Sequence, residues 1–229
     1  MYGGYYGYGY YWDPTYFLVL VGLVLCLGAS ALVNSTMRKY SKVRNMRGLT
    51  GAEAARNILN REGLYNVQIE CLNSDDGDHY DPRTDTVRLS YNNFNGTSVT
   101  AVSVAAHECG HAVQHARAYA PLTMRSKLVP VVSFASNIMT WVLLGGILML
   151  NTFPQLLLAG IILFAMTTLF SFITLPVELN ASKRALVWLS SSGITNARNH
   201  TQAEDALRSA AYTLSLIHIS EPTRLGMIS

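Results

Sequence analysis

Three uninterrupted apolar blocks dominate the pattern of the chain, at residues 16–33, 128–150 and 156–177, and no charged residue occurs from Leu128 to Val177. Each block is long enough to cross a hydrocarbon core of about 30 Å at about 1.5 Å per helical residue. The five residues NTFPQ, 151–155, are too short and polar to be anything but the turn between two helices. The pattern therefore predicts one transmembrane helix at 16–33 and a transmembrane hairpin at 128–177. A buried hairpin of a soluble protein is the weaker reading on length alone.

Between the first block and the hairpin the periodicity changes twice. Thr50 and Glu53 in TGAE form a capping-box pattern, in which each side chain satisfies a free backbone donor at a helix start. The predicted helix runs to about Arg61 with Ala54, Ala55, Ile58 and Leu59 on one apolar face, and Gly63 ends it. Residues 67–71 and 86–90 alternate like strands on either side of a polar stretch, which predicts a small helix-plus-hairpin unit. Asp75, Asp76 and Asp78 surround Gly77, but their spacing is not that of an EF-hand loop and no glutamate closes it, so a solvated turn is expected. After Asn95-Gly96, Thr97 or Ser98 can cap a further helix, rich in alanine and valine, from Val99 to about Ala118.

Composition agrees with a membrane protein: of 229 residues half are hydrophobic and 14% charged, too apolar a balance for an ordinary soluble domain. The basic residues then orient it. Arg38, Lys39, Lys42, Arg44 and Arg47 follow the first block, Arg117, Arg125 and Lys127 precede the second, and Lys183 and Arg184 follow the third. Residues 1–15 and 151–155 carry no lysine or arginine. By the positive-inside rule the N-terminus and the 151–155 turn lie outside, and the segments 37–125 and 178 onward are cytoplasmic. The first block has no basic n-region or small-residue cleavage site, so it is expected to stay as an anchor. The net charge of +3 thus reflects topology and gives no reason to expect a nucleic-acid partner. Cys26 falls in a span while Cys71 and Cys109 fall on the cytoplasmic side, which argues against a disulfide framework, and Cys109 reads as a small packing residue.

The candidate chemistry lies in HECGHAVQH, residues 107–115. Residues four apart share one face of a helix, so His107 and His111 can offer nitrogens to one ion, and Glu108 stands beside it without being a ligand. This is the HExxH arrangement, in which two histidines hold zinc and the glutamate is general base for water activated there. Three fixed residues are a weak pattern alone, but the helical setting and the small neighbours Ala105, Ala106 and Gly110 favour the metal. His115 continues the spacing, yet on a straight helix its α-carbon is about 12 Å from that of His107, too far for one tetrahedral ion, so it is expected outside the ligand set. A catalytic zinc still needs a third protein ligand. Glu178 is the better candidate, being the first charge after a hairpin that returns the chain to the side it left. Glu204 and Asp205 are weaker, and an interfacial Glu178 paired with Lys183 or Arg184 is the alternative.

These residues resemble the membrane-bound neutral zinc metallopeptidases typified by bacterial YugP, distantly similar to HtpX-like gluzincins. The resemblance covers residues 13 to about 213 and rests on NSTMRKYSKVR (34–44), GLTGAEAAR (48–56), DHYDPRTDTVRLS (78–90), AAHECGHAVQHA (105–116), YAPLTMRS (119–126) and LPVELNASKRAL (175–186). It implies one zinc ion held by His107, His111 and Glu178, with Glu108 as catalytic acid and base. It also implies that Asn180 and Ser182, on a helix opened by Glu178, support the ligands. A serine cannot replace the acidic residue found nearby in the HtpX group, so Ser182 is not expected to orient a histidine. Tyr80 and Tyr119 are candidates for stabilising the oxyanion, and the 86–90 strand could offer an edge to an extended substrate.

The expected architecture is a mainly α membrane protein with a small α+β cytoplasmic part and a zincin-type helix bearing HExxH, with about three transmembrane helices present and a fourth missing at the C-terminus. Its divisions are a Gly/Tyr-rich tail (1–15), a transmembrane helix (16–33), a cytoplasmic metallopeptidase part (37–127), the hairpin (128–150 and 156–177) and a cytoplasmic helical part with the third ligand (178–213). Residues 214–229 resemble translated sequencing adapter and are set aside as non-native, His218 with them. The function expected is a zinc endopeptidase of the bacterial plasma membrane acting from the cytoplasmic face on a membrane-associated or unfolded peptide or protein. An idle zinc-containing scaffold would need the ligands but not Glu108. Intramembrane cleavage fits poorly with the polar, basic stretch 114–127 that follows the motif.

Overall fold

The computed structural model describes residues 14–73, 77–195 and 200–208. The tail before Pro14, Asp75, Asp76 and everything beyond Arg208 lie outside the described residues. The elements in chain order are α1 (Pro14–Tyr40), α2 (Gly51–Arg61), β1 (Gln68–Leu72), β2 (His79–Asp81), β3 (Thr86–Ser90), α3 (Tyr91–Asn95), α4 (Val99–Ala116), α5 (Ala120–Leu148) and α6 (Pro154–Ser191). Residues 200–208 are also helical. The molecule is mostly helical with one small sheet.

Local chemistry explains the starts. Thr50 accepts from the Glu53 N–H while the Glu53 carboxylate accepts from the Thr50 N–H, completing the capping box of α2. Ser98, not Thr97, caps α4, its Oγ accepting from Ala101 N at 3.1 Å. Asn45 ties the segment after α1 to that start through the carbonyls of Leu49 and Thr97.

The sheet departs from the predicted hairpin. β1 and β3 are parallel neighbours, and β2 pairs antiparallel on the far side of β3, giving the order β1-β3-β2. The hairpin joins β2 to β3, with Asp85 at φ +50° in its turn. Three residues of β2 are too few to show an alternation, so the polar stretch conceals a strand. Since β3 is paired on both sides, it has no edge to offer; the free edge beside α4 belongs to β2. Nor is the turn before β2 simply solvated. Asp78 is half-buried and accepts from Ser90 N, Ser90 Oγ and Asn93 Nδ2 at 2.7, 3.1 and 2.6 Å, fastening β3 to α3.

α4 is the central element: all of it from Val99 to Gln114 except Val104 is buried, against α2, the sheet and the second half of α6. One residue decides how close α6 comes. A Cβ on Gly110 would meet the Cα and carbonyl oxygen of Ala181 at 3.0 Å, so α4 and α6 touch backbone to backbone.

Among the described residues, α5 and α6 are the helices long and apolar enough to cross a membrane. They pack on each other through Gly146 against Leu157 and Gly160 against Leu143, and turn Phe134, Trp141, Leu158, Leu169 and Phe172 outward. Both helices exceed the apolar blocks. α5 begins eight residues before Leu128, and α6 passes through Pro176 and Glu178 without interruption to Ser191. Glu178 thus sits within a helix and does not open one. The return of charge at Glu178 gives the backbone no reason to stop there, and Pro176 removes only the hydrogen bond to Phe172.

Candidate metal centre

α4 sets His107 and His111 one turn apart on one face, with ring centroids 4.8 Å apart and edge-on. Their Nε2 atoms lie 3.2 Å from each other. From α6, Glu178 Oε2 lies 3.1 Å from His107 Nε2 and 3.3 Å from His111 Nε2. An ion bonded tetrahedrally at about 2.0–2.1 Å separates its ligand atoms by about 3.3–3.4 Å. The triangle therefore fits zinc with almost no rearrangement. Two imidazole nitrogens and a carboxylate oxygen are also a donor set that zinc favours. Glu204 and Asp205 are exposed, and Asp205 accepts from Tyr40 Oη at 2.9 Å.

The protonation of the histidines can be worked out from their neighbours. Gln114 Nε2 donates to the carbonyl of Val177 at 2.9 Å, an atom that only accepts, so Gln114 Oε1 is the atom facing His111 Nδ1 at 3.0 Å. That nitrogen must carry the proton, which leaves the His111 Nε2 lone pair for a metal. Asn180 extends the chain. Its Oδ1 accepts from Gln114 Nε2 at 3.0 Å and from Arg184 Nε at 2.9 Å. Ser182, against expectation, does reach a histidine: its Oγ is 3.1 Å from His107 Nδ1, where a hydroxyl can accept the proton that a carboxylate would otherwise take.

Glu108 is buried beside this triangle, and the backbone N–H of Tyr80 on the free edge of β2 faces its carboxylate. Burial is the main cause that pushes its carboxyl up to about 8; His107 opposes it, and the negative Asp78 and Glu178 add to it. Burial likewise pushes the Cys109 thiol up, as expected of an inert packing residue, its Sγ 3.7 Å from the carbonyl of Ala55.

A cavity of about 300 Å³ opens over His107, Glu108, His111 and Glu178. β2 forms one wall and the first turns of α5 the other, where Leu122, Val129 and Pro130 are apolar. His115 lies at its rim, half-exposed and outside the triangle. Its Nδ1 is 3.0 Å from Tyr80 Oη, whose single proton goes to Asp85 Oδ1 at 2.7 Å. The Tyr80 hydroxyl is thus engaged by Asp85 and His115, and Tyr119 is not among the cavity residues but caps α5.

Sequence reasoning missed two residues here. Gln114 lies three positions after His111 on the same helical face, a spacing that could have flagged it. Arg125 gave a misleading signal: among membrane-edge cations it looked ordinary, yet it is buried with Nη1 3.4 Å from Glu178 Oε1.

Comparison with known proteins agrees with this chemistry. Residues 15–220 match the model of a family described as "Putative neutral zinc metallopeptidase". The chain is 42% identical over 215 residues to a protein of Bacillus subtilis (strain 168) named "Putative membrane protease YugP", a match spanning 93% of this chain and 95% of that one. No solved structure matches it significantly.

Proposed function

Because the chain belongs to the neutral zinc metallopeptidase family, we propose that it is an integral membrane zinc endopeptidase of the gluzincin type, with its active site on the cytoplasmic face of the bacterial plasma membrane. The observation that carries this reading is the triangle of His107, His111 and Glu178, with Glu108 buried beside it under an open cavity. A zinc ion held there would polarise the scissile carbonyl and lower the pKa of a water toward neutrality.

The chain's own groups do the rest. Glu108 takes the water's proton and delivers it to the leaving amine, and the N–H of Tyr80 holds its carboxylate in place between the two transfers. His111 is kept in the ligating tautomer by Gln114, and His107 by Ser182. An extended peptide lies along β2, whose Tyr80 N–H stays with Glu108, and a side chain flanking the scissile bond fits against Leu122, Val129 and Pro130. The substrate is a membrane-associated or unfolded polypeptide.

Membrane integration is supported by the outward apolar side chains of α5 and α6, and by those of α1, where Phe17, Leu20, Leu25, Leu27 and Leu32 are exposed. The three helices would be the spans. Arg38, Lys39, Lys42, Arg44 and Arg47, all exposed after α1, favour the cytoplasmic orientation. Purified protein tests the activity: stoichiometric zinc and cleavage of unfolded casein are expected, the cleavage lost in Glu108→Ala. Zinc content without any cleavage above that of Glu108→Ala would leave an idle scaffold instead.

A further inference from the structure

Three basic residues precede the apolar block of α5, and they do not behave alike. Lys127 is exposed, as a cation at a membrane edge should be, and Arg117 is exposed and paired with Glu62. Arg125 instead turns inward, 9% exposed, into the cavity wall with Leu122, Ser126 and Val129 on the same helical face. A buried cation needs an anion, and the one it meets is Glu178, 3% exposed.

The two oxygens of Glu178 are divided between different partners. Oε2 faces both histidine nitrogens at 3.1 and 3.3 Å, while Oε1 faces Arg125 Nη1 at 3.4 Å. A free carboxylate next to zinc can bind through one oxygen or both, and binding through both would take up the position that a hydrolytic zinc keeps for water. We propose that Arg125 is a positioning residue that holds Oε1 of Glu178 back, so that the carboxylate meets the ion through Oε2 alone and the fourth position stays open. Guanidinium suits this task because it cannot lose its charge in the buried site, and its planar fork resists rotation. The pairing also fixes the first turns of α5 to α6, so the cavity wall and the third ligand are set by one contact.

The inference rests on zinc being the resident ion, which the native protein tests in the same assay. Native protein, Arg125→Met and Arg125→Lys are compared in detergent for zinc retention against a chelator, for the visible spectrum of the cobalt-substituted site, and for kcat and KM. Arg125→Met is expected to lose zinc affinity by roughly tenfold to a hundredfold. Its cobalt spectrum should shift as the second carboxylate oxygen replaces water in the four-coordinate shell, and kcat should fall with KM little changed. Arg125→Lys, which keeps the charge but not the fork, should recover part of each. If Arg125→Met fails to fold, Arg125→Gln is read against the same outcomes. An unchanged cobalt spectrum and unchanged zinc affinity in the folded Met or Gln variant overturn the proposal, whether activity persists or is lost. Failure of the native protein to bind zinc would instead overturn the functional reading beneath it.

Discussion

Gly110 offers the sharpest test of how the site is spaced. It lies three residues after His107 and one before His111, and it faces Ala181, three residues after Glu178. The Gly110–Ala181 contact is therefore within one turn of every proposed ligand. In Gly110→Ala the new Cβ would stand 3.0 Å from the Cα and carbonyl oxygen of Ala181 and 3.1 Å from its Cβ. Contacts this short are tighter than carbon atoms normally make, so α6 must give by a few tenths of an ångström. Metal sites tolerate about 0.2 Å. Two effects on the metal-free fold oppose each other: overpacking costs about 1–3 kcal/mol, and replacing a helical glycine by alanine returns about 1 kcal/mol. Metal-free stability should thus fall by no more than about 2 kcal/mol, while zinc affinity falls at least about tenfold. Chelator competition measures the second quantity and unfolding of the metal-free protein the first. If Gly110→Ala binds zinc as tightly as the native protein, the helices give way elsewhere, and the close approach of α4 and α6 does not set the ligand spacing.

Other expectations follow from the same geometry. The carboxyl of Glu108 is raised from 4.5 to about 8 in the folded protein, so the fold binds a proton there that the unfolded chain has lost. Its contribution to metal-free stability is present below about pH 4.5 and is lost as pH rises to about 8, with a slope of at most about 1.4 kcal/mol per pH unit. Glu108→Gln should flatten that slope in denaturant unfolding at several pH values; identical slopes would contradict the burial of the carboxyl as the cause of its raised pKa. Gln114→Leu keeps the volume but removes the acceptor for His111 Nδ1, and zinc affinity should drop about 10–100-fold, read by chelator competition. Asp78→Ala removes three hydrogen bonds joining β3 and α3, and a loss of about 1–3 kcal/mol is expected in denaturant unfolding. A loss within 0.5 kcal/mol, the usual range for a surface change, would show the turn to be the solvated one that its composition suggested.

What could be read from sequence divides along physical lines. Features that depend on near neighbours were legible: the capping box at Thr50 and Glu53, the one-turn spacing of His107 and His111, and the apolar lengths of α5 and α6. Features that depend on distant partners were less so. Three residues of β2 carry no alternation, so the sheet order could not be inferred. The inward turn of Arg125 is invisible to a rule that counts positive charge without regard to helical face. Ser182 was judged by what its side chain cannot do as an acid, when a hydroxyl suffices at hydrogen-bond distance from His107. Glu178 was suggested by the topology of the hairpin, but the close approach of α6 beside it needs the small Gly110, whose role is visible only once α6 is in place.

The distribution of the ligands along the chain also bears on how the protein is made. His107 and Glu178 are 71 residues apart in sequence, and on the proposed topology the intervening chain crosses the membrane and returns. On that topology, a chain still being synthesised would hold His107, Glu108 and His111 without the proposed third ligand. Glu178 would then arrive only with the inserted hairpin, and the proposed protease could not complete its site before both of its hairpin helices were in the membrane.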